Sequence, residues 1–306
     1  KKIANFFQTN GGFLSYEDLN QYKIRILEPV CGSYRLYKVC SMAPPSSGGI
    51  ALIQILNILE NINLSEIDHN SKEYLKILIS SMDFAYRDRA IYLGDPDYYK
   101  VPQDLLTSKK YAEDILNLIK EKELPAKVNV KILESEETTH FSIVDKWGNA
   151  VSNTYTLNTA YGSGIIPTGT GILMNNEMDD FSSKPGYPNT YGLIGSVANK
   201  IEPGKTPLSS MSPVIVFRDN KPYLITGSPG GSTIITSVLQ EILNVLDFQM
   251  SLEESSKKSR IHFQHLPDIL FHEPLNDNLI EFLKKDKKLI SRKLGEIHSI
   301  LLKKDS

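Results

Sequence analysis

The chain has 306 residues, enough for one large domain or two small ones. Its 41% hydrophobic and 23% charged residues are ordinary for a globular protein, and a net charge of −2 argues against a general binder of nucleic acids or membrane surfaces. No apolar run approaches the roughly 20 residues that cross a bilayer, and no signal peptide is visible. Because the chain starts without Met, we expect its natural N-terminus to lie upstream.

The first half of the chain is predicted to be largely helical. Ser15 is expected to cap a first helix, and the apolar helix that follows Gly49 is expected to be buried. The pattern predicts helices over 13–24, 50–60, 71–92 and 108–121. The Pro-Pro-Ser-Ser-Gly-Gly run at 44–49 could cradle an anion, but it favours a tight turn into a core helix. Three charged residues of the third helix are expected on a solvated or paired face: Arg87, Asp88 and Arg89.

Two cysteines, Cys31 and Cys40, lie in a predicted hairpin. They stand at equal distances from its middle, as do Tyr34 and Tyr37, so one central turn would set the cysteines opposite each other. A cross-strand disulfide is then possible, but two free, half-buried thiols are the favoured interpretation. The six histidines do not cluster with cysteines at ligand spacing, so we expect no metal site and no cofactor.

Residues 122–137 are charged and lack periodicity, which favours a mobile linker. A β-hairpin is predicted directly after it, with a bend at Gly148. If Val144 pairs with Ala150, the same register sets Thr138 opposite Thr156. Side chains alternate along a strand, so Thr138 shares a face with Thr156 and Asn158. That arrangement suits a nucleophile, although Thr-rich hairpins are also common in purely structural sheets.

The second half of the chain mixes strands, loops and helices. Glycine loops follow the hairpin, and the turn formers at 184–192 predict a surface loop. Further elements are predicted as strands at 214–217 and 223–226, a helix at 233–246, a helix capped by Ser251, and a strand cut short at 296–306. Helices first, strands later and helices again indicate a mixed α+β fold.

The stretch from Glu134 to Asn158 resembles the processing site of gamma-glutamyltranspeptidases, which are N-terminal-nucleophile hydrolases. It reads Glu-Ser-Glu-Glu-Thr-Thr-His-Phe-Ser-Ile-Val-Asp-Lys-Trp-Gly-Asn-Ala-Val-Ser-Asn-Thr-Tyr-Thr-Leu-Asn. The similarity extends from Gly11 to about Ser299. It implies an α+β fold of the αββα sandwich type. It also implies self-cleavage between Glu137 and Thr138, giving the C-terminal part of a large subunit (1–137) and a small subunit (138–306) that share one core as a heterodimer.

The resemblance also assigns roles to individual residues. Thr138 would be the nucleophile, with its freed α-amine as the base, because an α-amine has an unperturbed pKa of about 7.7–8.0. Thr156 would orient Thr138. The other implied residues are Gly230 and Gly231 for the oxyanion, Asn158, Glu177 and Asp180 for the substrate ammonium, Ser209 and Ser210 for its carboxylate, and Tyr191 in a lid.

Two departures from the family pattern bear on the substrate site. Many bacterial relatives carry Gln at the position of Glu177. The arginine with which the family clamps the substrate carboxylate lies N-terminal to this sequence, and no Arg here can be matched to it.

The implied activity is hydrolysis of glutathione and other gamma-glutamyl compounds, or transfer of the gamma-glutamyl group to amino-acid or dipeptide acceptors. The resemblance implies a periplasmic or secreted enzyme. Two alternatives remain: a related acylase acting on glutaryl or poly-gamma-glutamyl amides, and an inactive precursor fragment. An ammonium site at Asp180 argues against glutaryl substrates, since these have no α-amine.

Overall fold

The computed structural model describes residues 1–121 and 138–303. The helices within these residues are α1 Lys2–Thr9, α2 Tyr16–Gln21, α3 Gly48–Glu60, α4 Lys72–Tyr92, α5 Gln103–Leu106, α6 Lys109–Lys120, α7 Ile234–Leu246, α8 Leu252–Ser256 and α9 Asp277–Leu283. The strands are β1 Val30–Tyr34, β2 Tyr37–Ser41, β3 Thr139–Val144, β4 Ala150–Tyr155, β5 Val214–Arg218, β6 Lys221–Thr226, β7 Ile261–His262, β8 Ile269–His272, β9 Lys288–Ser291 and β10 Ile300–Leu301. The predicted linker at 122–137, with Glu137, lies outside the described residues.

A five-stranded antiparallel sheet forms the centre of the fold, in the order β1-β2-β5-β6-β10. Alternation along its strands gives the sheet two different faces. Val214, Val216 and Leu224 join the main hydrophobic core with the helices. Ile215 and Ile225 pair with each other and point to the opposite face.

The helical layer is built around α3. This helix is buried over nearly its whole length, as its apolar sequence predicts, and it packs against β1 and β2 with α4, α6 and α7 around it. The glycine pair at its start serves close packing: a Cβ on Gly48 would lie 2.4 Å from the Met211 carbonyl oxygen, and one on Gly49 would lie 2.4 Å from that of Met42. The tight-turn interpretation of this segment therefore holds.

The β3–β4 hairpin forms a third layer. Val144 pairs with Ala150, so the predicted register is confirmed. The hairpin packs against β5 and β6, where the Ser152 hydroxyl donates to the Thr226 carbonyl at 2.9 Å. Helices, sheet and hairpin thus follow one another as α, β and β layers. This stacking brings Thr138, just before β3, close to the segments that precede β5 and follow β6.

Several elements differ from the sequence prediction. The first predicted helix is shorter, because α2 ends at Gln21, but Ser15 caps it as expected. A three-stranded sheet of β7, β8 and β9 is new, with β8 and β9 parallel. Strands of two to four residues show too little alternation to be recognised from sequence. In the described ranges 1–121 and 138–303, none of the helices combines the length and apolarity that crossing a bilayer requires.

The two cysteines form a disulfide bond between β1 and β2. Cys31 lies opposite Cys40, as predicted, and Tyr34 lies opposite Tyr37. The interpretation as two free thiols is therefore wrong. Pairing register was readable from the sequence, but the oxidation state of two facing thiols was not.

Replacing both cysteines, Cys31→Ser with Cys40→Ser, is expected to lower the free energy of unfolding by about 2–3 kcal/mol. The bond joins residues with a sequence separation of 9. The expected loss of stability is the free-energy equivalent of the loop-closure entropy for a loop of that length. Chemical denaturation of the variant, beside the wild type with and without reductant, measures it. Equal stability in all three samples would mean that the thiols are not joined.

Candidate active site

Thr138 stands directly before β3, opposite the end of β4. Its hydroxyl donates to the Thr156 hydroxyl oxygen at 3.3 Å. The same Thr156 oxygen accepts the backbone N–H of Asn158 at 2.9 Å, which the left-handed backbone of Asn158 (φ 76°) permits. Thr156 is thereby held in place from two sides and fixes the direction of the Thr138 hydroxyl.

Most of the predicted site residues surround one small cavity, with a volume of about 20 Å³. Its lining consists of Thr138, Thr156, Asn158, Asp180, Tyr191, Ser209, Ser210, Met211, Gly231 and Ile234. Residues up to 96 positions apart in sequence, Thr138 and Ile234, therefore line the same cavity. Met211 and Ile234 were missed by the sequence analysis, because nothing distinguishes them from core residues. Glu177 and Gly230 do not line the cavity; each lies close in sequence to a residue that does.

Glu177 and Asp180 form a half-buried acidic pair on a single turn of 3-10 helix. Burial and, next to it, the neighbouring Glu177 carboxyl together raise the pKa of Asp180 to about 8, while Arg89 opposes the shift. Burial also raises the pKa of Glu177 to about 7, against a hydrogen bond with Asp180. At neutral pH the pair therefore retains a proton, and an arriving cation would favour its release.

The two serines of the cavity are held by the segment 44–48. The Ser209 carbonyl accepts from the N–H of Ser47 at 2.8 Å and from its hydroxyl at 2.7 Å. The Ser209 N–H donates to the Pro45 carbonyl at 2.9 Å. The segment 44–48 thus packs along the loop that carries Ser209 and Ser210, which we call the serine loop. The sequence of the segment alone did not predict this role.

Gly231 lines the cavity, where the chain turns into α7. Its φ of 55° lies in the left-handed region, and a Cβ there would lie 2.5 Å from the Tyr191 ring. Gly230, one residue back, accepts the Thr233 hydroxyl at its carbonyl at 2.8 Å. Only glycine fits at Gly231, because the ring covers the space that any side chain would need.

Tyr191 is buried in the cavity wall, with 5% of its surface exposed. Its hydroxyl donates to the Asn158 carbonyl at 2.6 Å, and its own carbonyl accepts from Gln264 at 3.0 Å. The surface-loop prediction fits Lys184 and Tyr187, which are exposed, but fails at Tyr191. The turn formers marked the loop correctly and gave no sign that it folds back onto the site.

The polar face predicted for α4 is largely buried. Asp88 accepts hydrogen bonds from Gln54 and Tyr111, both at 2.7 Å, and also pairs with Arg87. Arg89 donates from Nε to the Ser47 hydroxyl at 2.9 Å and from Nη2 to the Ser210 hydroxyl at 3.2 Å. Asp88 is paired as expected, but a solvated position is wrong for it and for Arg89. The pattern of a charged helix face cannot separate solvent from a polar cleft.

Comparisons with known proteins agree with this geometry. The family model for gamma-glutamyltranspeptidase matches residues 1–306. A glutathione hydrolase proenzyme of Escherichia coli is 46% identical over all of this chain and 54% of its own length. The chain therefore spans about half the length of the curated relatives that it matches.

Solved structures give the same result. A gamma-glutamyltranspeptidase from Pseudomonas nitroreducens is 50% identical over 55% of this chain and 91% of its own, with a TM-score of 0.54. A cephalosporin acylase from Bacillus halodurans, 23% identical, matches 99% of this chain and 54% of its own with a TM-score of 0.82, which speaks for the fold alone. The predicted α+β fold, an αββα sandwich of the N-terminal-nucleophile hydrolase type, is confirmed. The chain belongs to the gamma-glutamyltranspeptidase family.

Proposed function

We propose that this chain carries the nucleophile and most of the substrate site of a gamma-glutamyltranspeptidase that also hydrolyses glutathione. One observation carries the proposal: Thr138 lines one cavity with Asp180, Ser209, Ser210 and Gly231, residues that have a carboxyl, two hydroxyls and a backbone N–H to offer. The Thr138 hydroxyl and the glycine N–H suit the reacting carbonyl of a gamma-glutamyl group. The Asp180 carboxyl suits its ammonium, and the two serine hydroxyls suit its carboxylate. Glutathione and other gamma-glutamyl compounds are the substrates, and amino acids or dipeptides are the acceptors.

The enzyme first cuts its own chain at the Glu137–Thr138 bond. The Thr138 oxygen bonds to the Glu137 carbonyl carbon, the C–N bond breaks, and the nitrogen takes the hydroxyl proton. Water then opens the resulting ester, restoring the hydroxyl and leaving a free α-amine on Thr138. This amine is the base that an internal threonine lacks, since its ordinary pKa of about 7.7–8.0 is close to neutral.

Mature Thr138 then attacks the gamma-carbonyl carbon of the substrate. The α-amine takes the hydroxyl proton and passes it to the leaving amine as the carbon–nitrogen bond breaks. Backbone N–H groups of Gly231 and Gly230 stabilise the oxyanion, and such a donor contributes roughly 3 kcal/mol to lowering a barrier. Water or an amine acceptor resolves the acyl-enzyme. No cofactor takes part in these steps.

The ends of the substrate are distinguished by charge. Asp180, supported by Glu177 and Asn158, binds the ammonium, and Ser209 with Ser210 binds the carboxylate. The alternative, an acylase on glutaryl amides, is disfavoured because a glutaryl group has no ammonium for the Asp180 carboxyl to bind. Tyr191 acts as a lid that must shift, because the cavity of about 20 Å³ holds little more than one water molecule.

The two pieces, 1–137 and 138–306, remain together as large-subunit and small-subunit parts of a heterodimer. Interactions across the cut support this: Ser47 with Ser209 and Arg89 with Ser210. The central sheet also alternates between them, with β2 of the first piece paired to β5 of the second. A periplasmic or secreted location is supported by the Cys31–Cys40 disulfide, since such bonds persist in oxidising compartments.

Purified protein, with any sequence that naturally flanks the chain, tests the proposal directly. A denaturing gel followed by N-terminal sequencing should find a new end reading Thr-Thr-His-Phe-Ser. Release of nitroaniline from a gamma-glutamyl anilide should exceed release from the glutaryl anilide. An intact chain would favour the inactive precursor, and preference for the glutaryl substrate would favour the acylase.

Glu177→Gln is expected to move the acid limb of the pH profile of kcat/KM to lower pH. Burial and the Glu177 carboxyl together hold the pKa of Asp180 at about 8, and Asp179 and Arg89 stay in place in the variant. Removing one negative charge lowers the pKa of Asp180, so the ammonium-binding carboxylate forms at lower pH. Rates with the gamma-glutamyl anilide across pH 5–9, a window of roughly two pH units to either side of neutral, measure the shift. An acid limb that stays at the same pH or moves to higher pH would contradict this expectation.

A further inference from the structure

Arg89 is a buried cation behind the serine pair of the active site. Its residue is 5% exposed, and it lies on α4, on the other side of the cut from the serines. It does not line the cavity. The guanidinium reaches the site only through the two serine hydroxyls that accept its hydrogen bonds, those of Ser47 and Ser210.

The direction of these hydrogen bonds determines what Ser210 can do. A guanidinium has only donors, so the Ser210 oxygen must accept from Nη2. Its own hydrogen then has to point elsewhere, and within residues 1–121 and 138–303 the Ser210 hydroxyl donates no hydrogen bond. Ser209 is held in the same manner, because its hydroxyl oxygen accepts the Met211 N–H at 3.0 Å. Both serines therefore present O–H donors to the cavity, as an anionic ligand requires.

Ser47 fixes the other end of the guanidinium. Its hydroxyl accepts from Arg89 Nε at 2.9 Å and donates to the Ser209 carbonyl at 2.7 Å. Arg89 therefore has two anchors, the Ser47 hydroxyl before α3 and the Ser210 hydroxyl before β5. Rotation of the guanidinium away from Ser210 would break both bonds.

The charge of Arg89 is also unbalanced where it stands. Within the described ranges, no Asp or Glu forms an ion pair with it. Burial lowers the pKa of Arg89, and the charges of Tyr86 and Asp180 act in the opposite direction. A desolvated cation without a paired anion is costly. An anion bound at Ser210 would relieve that cost without touching the guanidinium.

We infer that Arg89 is a positioning residue for the carboxylate end of the substrate, acting through Ser210. It turns the serine hydroxyl into a donor that faces the cavity and places a positive charge behind it. This inference rests on the proposed function, and it adds a carboxylate-selecting residue from the helix that precedes the cut.

The test compares two anilides that differ only in the α-carboxylate: gamma-glutamyl and 4-aminobutyryl nitroanilide. Arg89→Gln should lower kcat/KM for the first by roughly 10- to 100-fold, mainly through KM, as expected for a lost charge-assisted hydrogen bond. For the second substrate the change should stay within roughly threefold, since that substrate has no carboxylate. Arg89→Lys should fall between Arg89→Gln and the wild type. Arg87→Gln, on the same helix and partly exposed, is the matched control and should leave both rates unchanged.

A double-mutant cycle separates positioning from general damage. If Arg89 acts through Ser210, then Ser210→Ala with Arg89→Gln should lose little more than either single variant. Additive losses, or equal losses on both anilides, would overturn the inference. Failure of both Arg89 variants to fold or to be cut would also overturn it, because Arg89 would then be structural. A wild type inactive on both anilides would instead overturn the proposed function.

Discussion

Thr138→Ala is expected to remain one uncut polypeptide and to lose turnover of gamma-glutamyl anilides by at least roughly 10⁴-fold. The substitution removes the hydroxyl that attacks the Glu137 carbonyl in the proposed self-cleavage, so the α-amine never forms. It also removes the nucleophile of the second reaction. Both losses have one cause, the absence of a hydroxyl next to Thr156.

Two matched variants define the control. Thr138→Ser keeps a hydroxyl on the same backbone and should still be cut and still turn over substrate. Thr139→Ala changes the neighbouring residue, whose side chain is exposed on the opposite face of β3, and should behave as wild type. A denaturing gel and the anilide assay read all three. A Thr138→Ala chain that matures and stays active would place the nucleophile elsewhere.

The hairpin that carries Thr138 was predictable because its information is local. Alternation along two short strands and a glycine bend were enough to fix the pairing of Val144 with Ala150. The face shared by Thr138 and Thr156 followed from that register. The same kind of reasoning set Cys31 opposite Cys40, although it favoured the wrong oxidation state.

The rest of the site depends on contacts between distant parts of the chain. Ser47 and Ser209 are 162 positions apart, and Arg89 and Ser210 are 121 positions apart. A helix pattern tells which residues share a face, but it cannot tell whether a polar stripe faces water or a cleft lined by hydroxyls. For the same reason Tyr191 was placed in a surface loop although it is buried. Roles for Asp180 and the serines came from family resemblance and remain predictions.

Asp180→Asn is expected to reduce kcat/KM for gamma-glutamyl anilide by roughly 100-fold or more. A charged hydrogen-bonded partner removed from a buried site costs about 2–5 kcal/mol, and an amide cannot replace the charge that the ammonium requires. The glutaryl anilide has no ammonium, so its slow turnover should not fall. The ratio of the two rates measures selection for the α-amine independently of any general loss of activity.

This variant should lose selectivity without losing stability. Burial and the Glu177 carboxyl hold the pKa of Asp180 at about 8, so this carboxyl is mostly neutral at pH 7 before a cation binds. A folded-state pKa above the unfolded value stabilises the fold at low pH, and that stabilisation is lost as pH rises towards 8. Asn has nearly the shape of the protonated acid and does not titrate, so at pH 8 the variant should unfold no more easily than wild type. Asp179→Asn is the matched control: its side-chain oxygen can still accept the Thr190 N–H, at 3.0 Å in the wild type, and its activity should stay near wild type. An equal loss in both Asp variants would point to damage of the turn rather than to a missing charge.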